Sequence, residues 1–377
     1  MSNSRQSVAF DVTPLTTFRT GIGLSVQETW KALRDLAGGP VLIPYALGLR
    51  LRTRPAGLPP GIRAVRVPTR VLLALWARAG VPRVDWRFGD AGVVHATNFV
   101  VAPSRHPTVV TVHDVGFVID PSSANPVVAT FPAVLRRALD RGAHVHVTTE
   151  AVAREVDEHF GPALRASGRI NVIPWGLPTP APPLPLPEAL ADRIGGRPYV
   201  LAVGTHERRK NLPRLVAAFG EALSGTDVRL VIVGQDGPDT AALLGAIDAL
   251  GPGFTARVVV AGPAPAGVVT TLRDGALALA YPSLYEGFGF PPLEAMSAGV
   301  PVLAGRGGAV AEVAGPAAEL ADPRDVASLA RGLALVVFDD ARRSELAEAG
   351  RRHAAGFTWQ RTARGLADLY ARLATSS

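Results

Sequence analysis

Apolar positions along this chain recur in two rhythms that take turns. Short runs such as SVAFDVTPL (7–15), Gly92–Ala96, Thr108–Val112 and HVHVTTE (144–150) are apolar almost throughout. Runs of that length, bounded by Gly, Pro or Asp, are buried strands. Between them apolar residues fall at every third or fourth position, which predicts helices from the Gly21–Gly23 region to about Leu36 and over Ala151–Phe160. Strands that alternate with helices, each too apolar to leave a face in water, build parallel sheets covered on both sides. The rhythm stops over PWGLPTPAPPLPLPE (174–188), which is proline-rich and uncharged until Glu188. Proline favours stiff, extended backbone, so this segment is a linker, long enough to let two lobes hinge. Beyond it the alternation restarts: strand Tyr199–Val203, helix Leu212–Leu223, strand Arg229–Gly234, helix Thr240–Leu250, then strands Arg257–Gly262 and Gly275–Ser283. The tail from Phe357, FTWQRTARGLADLYARL, has helical spacing, with Trp359 at a core position. The pattern predicts two α/β domains, 1–180 and 181–356, and a terminal helix over 357–377.

Composition narrows the class. The chain has 377 residues, 47% hydrophobic and 19% charged. That is long enough for two domains and too apolar for disorder. It has no cysteine, which excludes disulfides and thiolate metal sites. No basic segment followed by an apolar run opens the chain, and no run approaches the ~18 apolar residues that span a bilayer. A cytoplasmic protein is the expectation. The net charge of +7 is uneven: residues 1–185 hold 20 Lys+Arg against 12 Asp+Glu, and residues 186–377 hold 19 against 20. A basic N-terminal half implies an acidic partner there, either a phosphorylated or lipid-linked acceptor or the inner face of an anionic membrane touched peripherally. A genome that favours arginine accounts for the same count, since Lys31 and Lys210 are the only lysines. Residues 61–87 set Arg63, Arg66, Arg70, Arg78, Arg83 and Arg87 around the apolar run Val71–Trp76. The run is short, which favours a core helix with solvated arginines over a membrane-lying face. The basic residues lack interleaved aromatics over long stretches, so nucleic acid is not an expected partner.

The densest chemistry lies in Ser283–Gly305, SLYEGFGFPPLEAMSAGVPVLAG. Glu286 and Glu294 flank Gly287, Gly289 and the pair Pro291–Pro292. Glycine lets backbone approach a ligand, and proline suits a first helical turn. The pattern predicts a strand, a tight loop and a helix that starts near Pro291. A helix N-terminus is a ready phosphate site, and carboxylates accept hydrogen bonds from paired sugar hydroxyls. Spacing alone also fits an ordinary βα turn with two surface glutamates. The stretch closely resembles the Glu–seven–Glu signature of retaining glycosyltransferases of family 4. That resemblance implies the GT-B fold: two Rossmann-like, doubly wound parallel-sheet domains facing a central cleft, the first binding the acceptor and the second the nucleotide-sugar. It also implies that the terminal helix crosses back to the first domain.

A second signature supports the resemblance. VGTHERRKNLPRLVAAF (203–219) is similar to the family segment in which an adjacent Arg-Lys grips the donor phosphates, here Arg209 and Lys210. Cations at a strand's carboxyl end suit a diphosphate leaving group. Thr205 stands where some subfamilies have arginine. TVVTVHDVGFV (108–118) resembles the family strand with a terminal His-Asp, which makes His113 the residue that positions the donor sugar and its acceptor; His95 is a weaker candidate. Gly21 and Gly23 match the first family loop, which approaches the donor phosphates and the acceptor. Trp175-Gly176 departs from the family's Asn-Gly.

The implied activity is retaining transfer of a mannosyl- or glucosyl-type hexose from a GDP- or UDP-linked sugar to a hydroxyl acceptor such as a glycan, glycolipid or natural-product intermediate. Catalytic roles fall to His113, Glu286, Arg209 and Lys210. Donor binding falls to Gly21, Gly23, Thr205, Arg209, Lys210, Gly287, Phe288, Gly289, Phe290 and Glu294. Family analogy has Glu294 on the ribose and leaves Glu286 either holding sugar hydroxyls or acting as nucleophile. The chain contains no Asp-x-Asp and no His/Cys cluster, so no metal and no cofactor beyond the donor is expected. An epimerase or phosphorylase of the same fold, and a non-catalytic polyanion-binding protein, are the alternatives.

Overall fold

The computed structural model describes residues 6–16, 21–48, 58–65, 67–121 and 127–375. The chain divides into two compact units, residues 1–176 with 357–377, and residues 177–356. Arg66, named above, lies outside the described residues.

The first unit is built on seven parallel strands: β1 (Ser7–Asp11), β2 (Val41–Leu47), β3 (Arg63–Val65), β4 (Val93–Ala96), β5 (Thr108–Thr111), β6 (His144–Val147) and β7 (Ile170–Val172). Their order is β3-β2-β1-β4-β5-β6-β7. The chain steps outward from β1 to β3, then returns to β4 on the other side of β1. The carboxyl ends of β1 and β4 therefore form a topological switch point, where open α/β sheets bind ligands. Strand β1 is buried on both faces, and the two-residue period sorts its side chains. Val8 and Phe10 join Trp30 and Leu33, while Ala9 joins Tyr45, Leu72 and Trp76 on the opposite face. The helix Trp359–Thr375 brings Ala363, Leu366, Leu369, Tyr370 and Leu373 into the Phe10 cluster. Gly176 meets the start of this helix so closely that a Cβ there would lie 2.2 Å from the Trp359 nitrogen.

Pro44 explains why β2 is hard to see in the sequence, since proline inside a run argues against a central strand. The strand tolerates it because β3 pairs only with Tyr45–Leu47, so Pro44 has a ladder neighbour on one side, Phe10.

The second unit repeats the plan with β8 (Tyr199–Val203), β9 (Arg229–Val233), β10 (Val258–Gly262), β11 (Ala278–Tyr281), β12 (Val302–Gly305) and β13 (Glu319–Ala321). The order is β10-β9-β8-β11-β12-β13, all parallel. Its switch point lies between β8 and β11. The core beneath it gathers Val200, Leu215, Phe219, Ile232, Ala280, Leu303 and Leu333. Leu184 fastens the proline-rich stretch to this unit: its N donates to the Gly267 carbonyl at 3.0 Å, and Thr271 Oγ1 donates to its carbonyl at 2.6 Å.

Candidate functional site

Two loops meet at the switch point of the second sheet, one leaving β8 and one leaving β11. The β8 loop begins at Gly204, whose φ is +154°; a Cβ there would sit 3.0 Å from Lys210 Cε. Bare backbone thus makes room for the lysine stem to fold across the strand end. The 3₁₀ turn Arg208–Lys210 follows, and Asn211 ends it in the left-handed region at φ 60°, a conformation asparagine tolerates better than most residues. Asn211 Nδ2 donates to the carbonyls of Pro282 (3.1 Å) and Pro323 (2.6 Å), and Leu284 N donates to the Arg209 carbonyl at 2.7 Å. The two loops are thereby tied together.

The tie sets Glu286 between two cations. Lys210 Nζ donates to Glu286 Oε1 at 2.5 Å and to the Tyr281 hydroxyl at 2.7 Å, and lies 4.7 Å from the centre of the Tyr281 ring. Arg209 Nη1 donates to Glu286 Oε2 at 2.6 Å, and its Nε donates to Glu207 at 2.7 Å. Lys210 is 9% exposed and the Glu286 side chain 11%, whereas Arg209 remains open at 40%. Burial pushes the Glu286 carboxyl up, but Lys210 and Arg209 outweigh it and hold the group below the usual carboxylate range. Burial pulls the Lys210 ammonium down from its ordinary value, with Glu286 opposing. Burial and the Glu286 charge raise the Tyr281 phenol well above its usual range, so it stays protonated.

The helix Phe290–Ala298 starts directly after this cluster. Gly289, at φ +99°, caps it, and Pro291–Pro292 occupy its first turn. Its positive dipole end therefore faces the loop that carries Gly287 and Phe288. Phe288 is buried edge-on against Phe290, with centroids 5.3 Å apart. Glu294 lies one turn further, half-buried; desolvation raises its pKa and Arg273 opposes the rise. Thr205 sits between Gly204 and the buried His206, whose Nδ1 lies 3.1 Å from Thr240 Oγ1.

The remaining candidates belong to the first unit. Gly21 is the first residue of the helix Gly21–Arg34, and Gly23 packs over the Pro14 carbonyl. His113 lies two residues past β5. Its Nε2 donates to the Thr97 carbonyl at 2.9 Å, and its ring lies beside Phe99 and Trp175. Burial pushes its pKa down to about 4. The ring is therefore neutral near pH 7, with Nδ1 as a hydrogen-bond acceptor. His95 is an interior connector, with Nδ1 2.6 Å from the Tyr370 hydroxyl and Nε2 2.8 Å from Thr111 Oγ1, which in turn meets His146. Trp175 fills apolar space against His146 and Trp359.

Sequence reasoning missed Tyr281, Glu207 and Asp11. Tyr281 is the last residue of β11 and Asp11 the last of β1; the strand-end rule would have found both once those boundaries were known. Asp11 is buried, accepts from Thr13 N at 2.8 Å and from the Thr13 hydroxyl, and burial raises its pKa to about 6.

Residues 191–353 match the family model described as Glycosyl transferases group 1. The chain is 28% identical over 274 residues, 71% of each chain, to the O-antigen chain mannosyltransferase B of Escherichia coli. It is 34% identical over 218 residues, 55% of each chain, to the 2-deoxystreptamine glucosyltransferase of Streptomyces kanamyceticus. Among solved structures, sucrose-phosphate synthase of Thermosynechococcus elongatus is similar with a TM-score of 0.75 at 21% identity, covering 99% of this chain and all of that one. Anabaena HepE in complex with UDP and glucose gives 0.71 at 16% identity, covering 98% of this chain and all of that one. The fold is that of the GT-B class, and residues 191–353 are similar to the glycosyl transferases of group 1.

Proposed function

We propose that the protein transfers a mannosyl- or glucosyl-type group from a GDP- or UDP-linked sugar to a hydroxyl acceptor, with retention of anomeric configuration and without a metal. The observation that carries this reading is the convergence of Arg209 and Lys210 on Glu286 at the switch point of the second sheet. Two cations at that place, beside a helix N-terminus, suit a diphosphate. The match of residues 191–353 to the group 1 family model supports the reading, as does the UDP bound by the HepE neighbour.

In the proposed reaction the bond from the sugar C1 to the diphosphate oxygen breaks, and its electron pair stays on that oxygen. Arg209, Lys210 and the amides of Gly287–Phe290 offset the charge as it develops. The acceptor oxygen bonds to C1 on the face the diphosphate leaves, and its proton passes to the departing phosphate. Glu294 binds the ribose hydroxyls, and Glu286 holds hydroxyls of the sugar. Neutral His113 accepts a hydrogen bond from a hydroxyl at Nδ1, and Gly21 and Gly23 let backbone approach the substrates.

Thermal unfolding in the presence of UDP, GDP, ADP and dTDP sugars tests this. A ligand at one hundred times its dissociation constant adds about 2.7 kcal/mol of stability. One base should give the shift, and Lys210→Ala and Glu294→Ala should each remove it. The site assignment is wrong if no nucleotide shifts the wild-type protein or if the shift survives both substitutions. Turnover lost in chelator and restored by manganese would overturn the metal-free step.

A further inference from the structure

Lys210 is fixed at its stem, its backbone and its head. Gly204 leaves bare backbone beside the stem, where a Cβ would stand 3.0 Å from Cε and 3.1 Å from Cδ. Asn211, fastened to the Pro282 and Pro323 carbonyls, fixes the backbone one residue on. At the head, Nζ donates to the Tyr281 hydroxyl at 2.7 Å and to Glu286 Oε1 at 2.5 Å. An ammonium has three N–H donors and no acceptor. Two of the three are therefore committed.

The two acceptors differ in charge. Glu286 is a carboxylate, and it answers Arg209 as well as Lys210. Tyr281 is 3% exposed, and burial with the Glu286 charge keeps its phenol protonated. A neutral phenol oxygen accepts a hydrogen bond without cancelling the charge of the ammonium that donates it. That matters because burial favours the neutral amine at Lys210; Glu286 and Glu207 oppose the shift, and Arg209 reinforces it. Core packing does not account for the tyrosine. Ala278 and Ala280 of the same strand enter the core of the second unit, and the two-residue period sends Tyr281 to the other face.

We propose that Tyr281 is the positioning residue for Lys210: its hydroxyl takes one N–H of the ammonium, Glu286 takes a second, and the third is left for the diphosphate of the donor. The inference rests on the reading of this site as a nucleotide-sugar site. When Glu286 takes up hydroxyls of the sugar, the Tyr281 oxygen keeps the buried ammonium hydrogen-bonded, charged and in place.

Lys31 and Lys210 are the chain's only lysines. Protein labelled with carbon-13 at lysine Cε therefore gives one NMR signal for each, and Lys31→Arg assigns them. Tyr281→Phe keeps the ring and removes the oxygen. The Lys210 titration midpoint should fall by about one pH unit, a tenfold larger acid dissociation constant. Tyr199→Phe is the control. Tyr199 is also buried in this unit, and its hydroxyl donates to the Leu272 carbonyl at 2.6 Å, so its loss perturbs packing without touching Lys210. An unchanged midpoint in Tyr281→Phe, or an equal fall in Tyr199→Phe, overturns the proposal. By calorimetry, the affinity for the nucleotide that shifts the wild type should begin its alkaline decline about one pH unit lower in Tyr281→Phe. A decline that stays in place while the NMR midpoint moves overturns the role toward the diphosphate. A wild type that binds no nucleotide refutes the nucleotide reading instead; the lysine titration needs no ligand and still decides whether Tyr281 holds Lys210.

Discussion

Glu286 answers the charge of two cations with one carboxylate, and each contact is 2.6 Å or shorter. A diphosphate that takes Arg209 and Lys210 must compete with it. Glu286→Gln keeps the size and removes the competitor. We expect free UDP or GDP, whichever shifts the wild type, to bind the variant about tenfold more tightly, on the order of 1.4 kcal/mol, while turnover falls if Glu286 holds the sugar as proposed. Isothermal calorimetry with the free nucleotide checks this. Weaker binding would mean that Glu286 chiefly holds the cations in place. At this scale the sequence was informative about charge and blind to partners. Glu286, Glu294, Arg209 and Lys210 stand out because charged groups beside glycines and strand ends are unusual. Tyr281 does not, since a tyrosine closing an apolar run is equally a core residue until Lys210 is seen 2.7 Å from its hydroxyl. His95 and His113 look alike in sequence, both near strand ends. Only packing separates the interior connector, held by two side-chain hydroxyls, from the histidine whose Nε2 donates to the Thr97 carbonyl.

At the scale of elements, the site depends on strand ends packed too closely for side chains. A Cβ on Gly234, just past β9, would lie 1.8 Å from the Gly204 carbonyl oxygen, which heads the loop holding Lys210. Both atoms belong to backbone, so neither can swing aside. Gly234→Ala should cost roughly 3 kcal/mol or more, read as a lowered denaturant midpoint, and should weaken nucleotide binding along with stability. A variant of unchanged stability would refute the close approach. The alternation of strands and helices was legible because each buried strand is a short apolar run between turn residues. Strands β2, β3, β12 and β13 were not: Pro44 disguises β2, β3 and β13 are three residues long, and β12 hides inside the glutamate motif. Short strands contribute too little pattern to be told from loops; neighbours in the sheet create them.

At the scale of the whole molecule, the two units should respond to different perturbations. Leu366, fully buried, packs the terminal helix against Phe10 and Leu33 of the first unit, while Lys210 and Glu294 lie in the second. Leu366→Ala should cost about 2–5 kcal/mol. In differential scanning calorimetry it should lower the transition that nucleotide does not raise, leaving the nucleotide-sensitive one in place. A variant that loses the nucleotide shift altogether would contradict this separation.

The sequence by itself determined the class of architecture and singled out the loop proposed to carry the chemistry. Apolar periodicity depends on neighbours a few residues away, and a loop of glycines and acids is likewise recognisable within a few residues. The strand order was decided only in three dimensions. β8 lies beside β11, although β9 and β10 intervene along the chain, and that adjacency brings Lys210 to Glu286 across a sequence separation of 76. No local pattern encodes it, because which strands share a ladder depends on how every helix and strand of the unit packs at once.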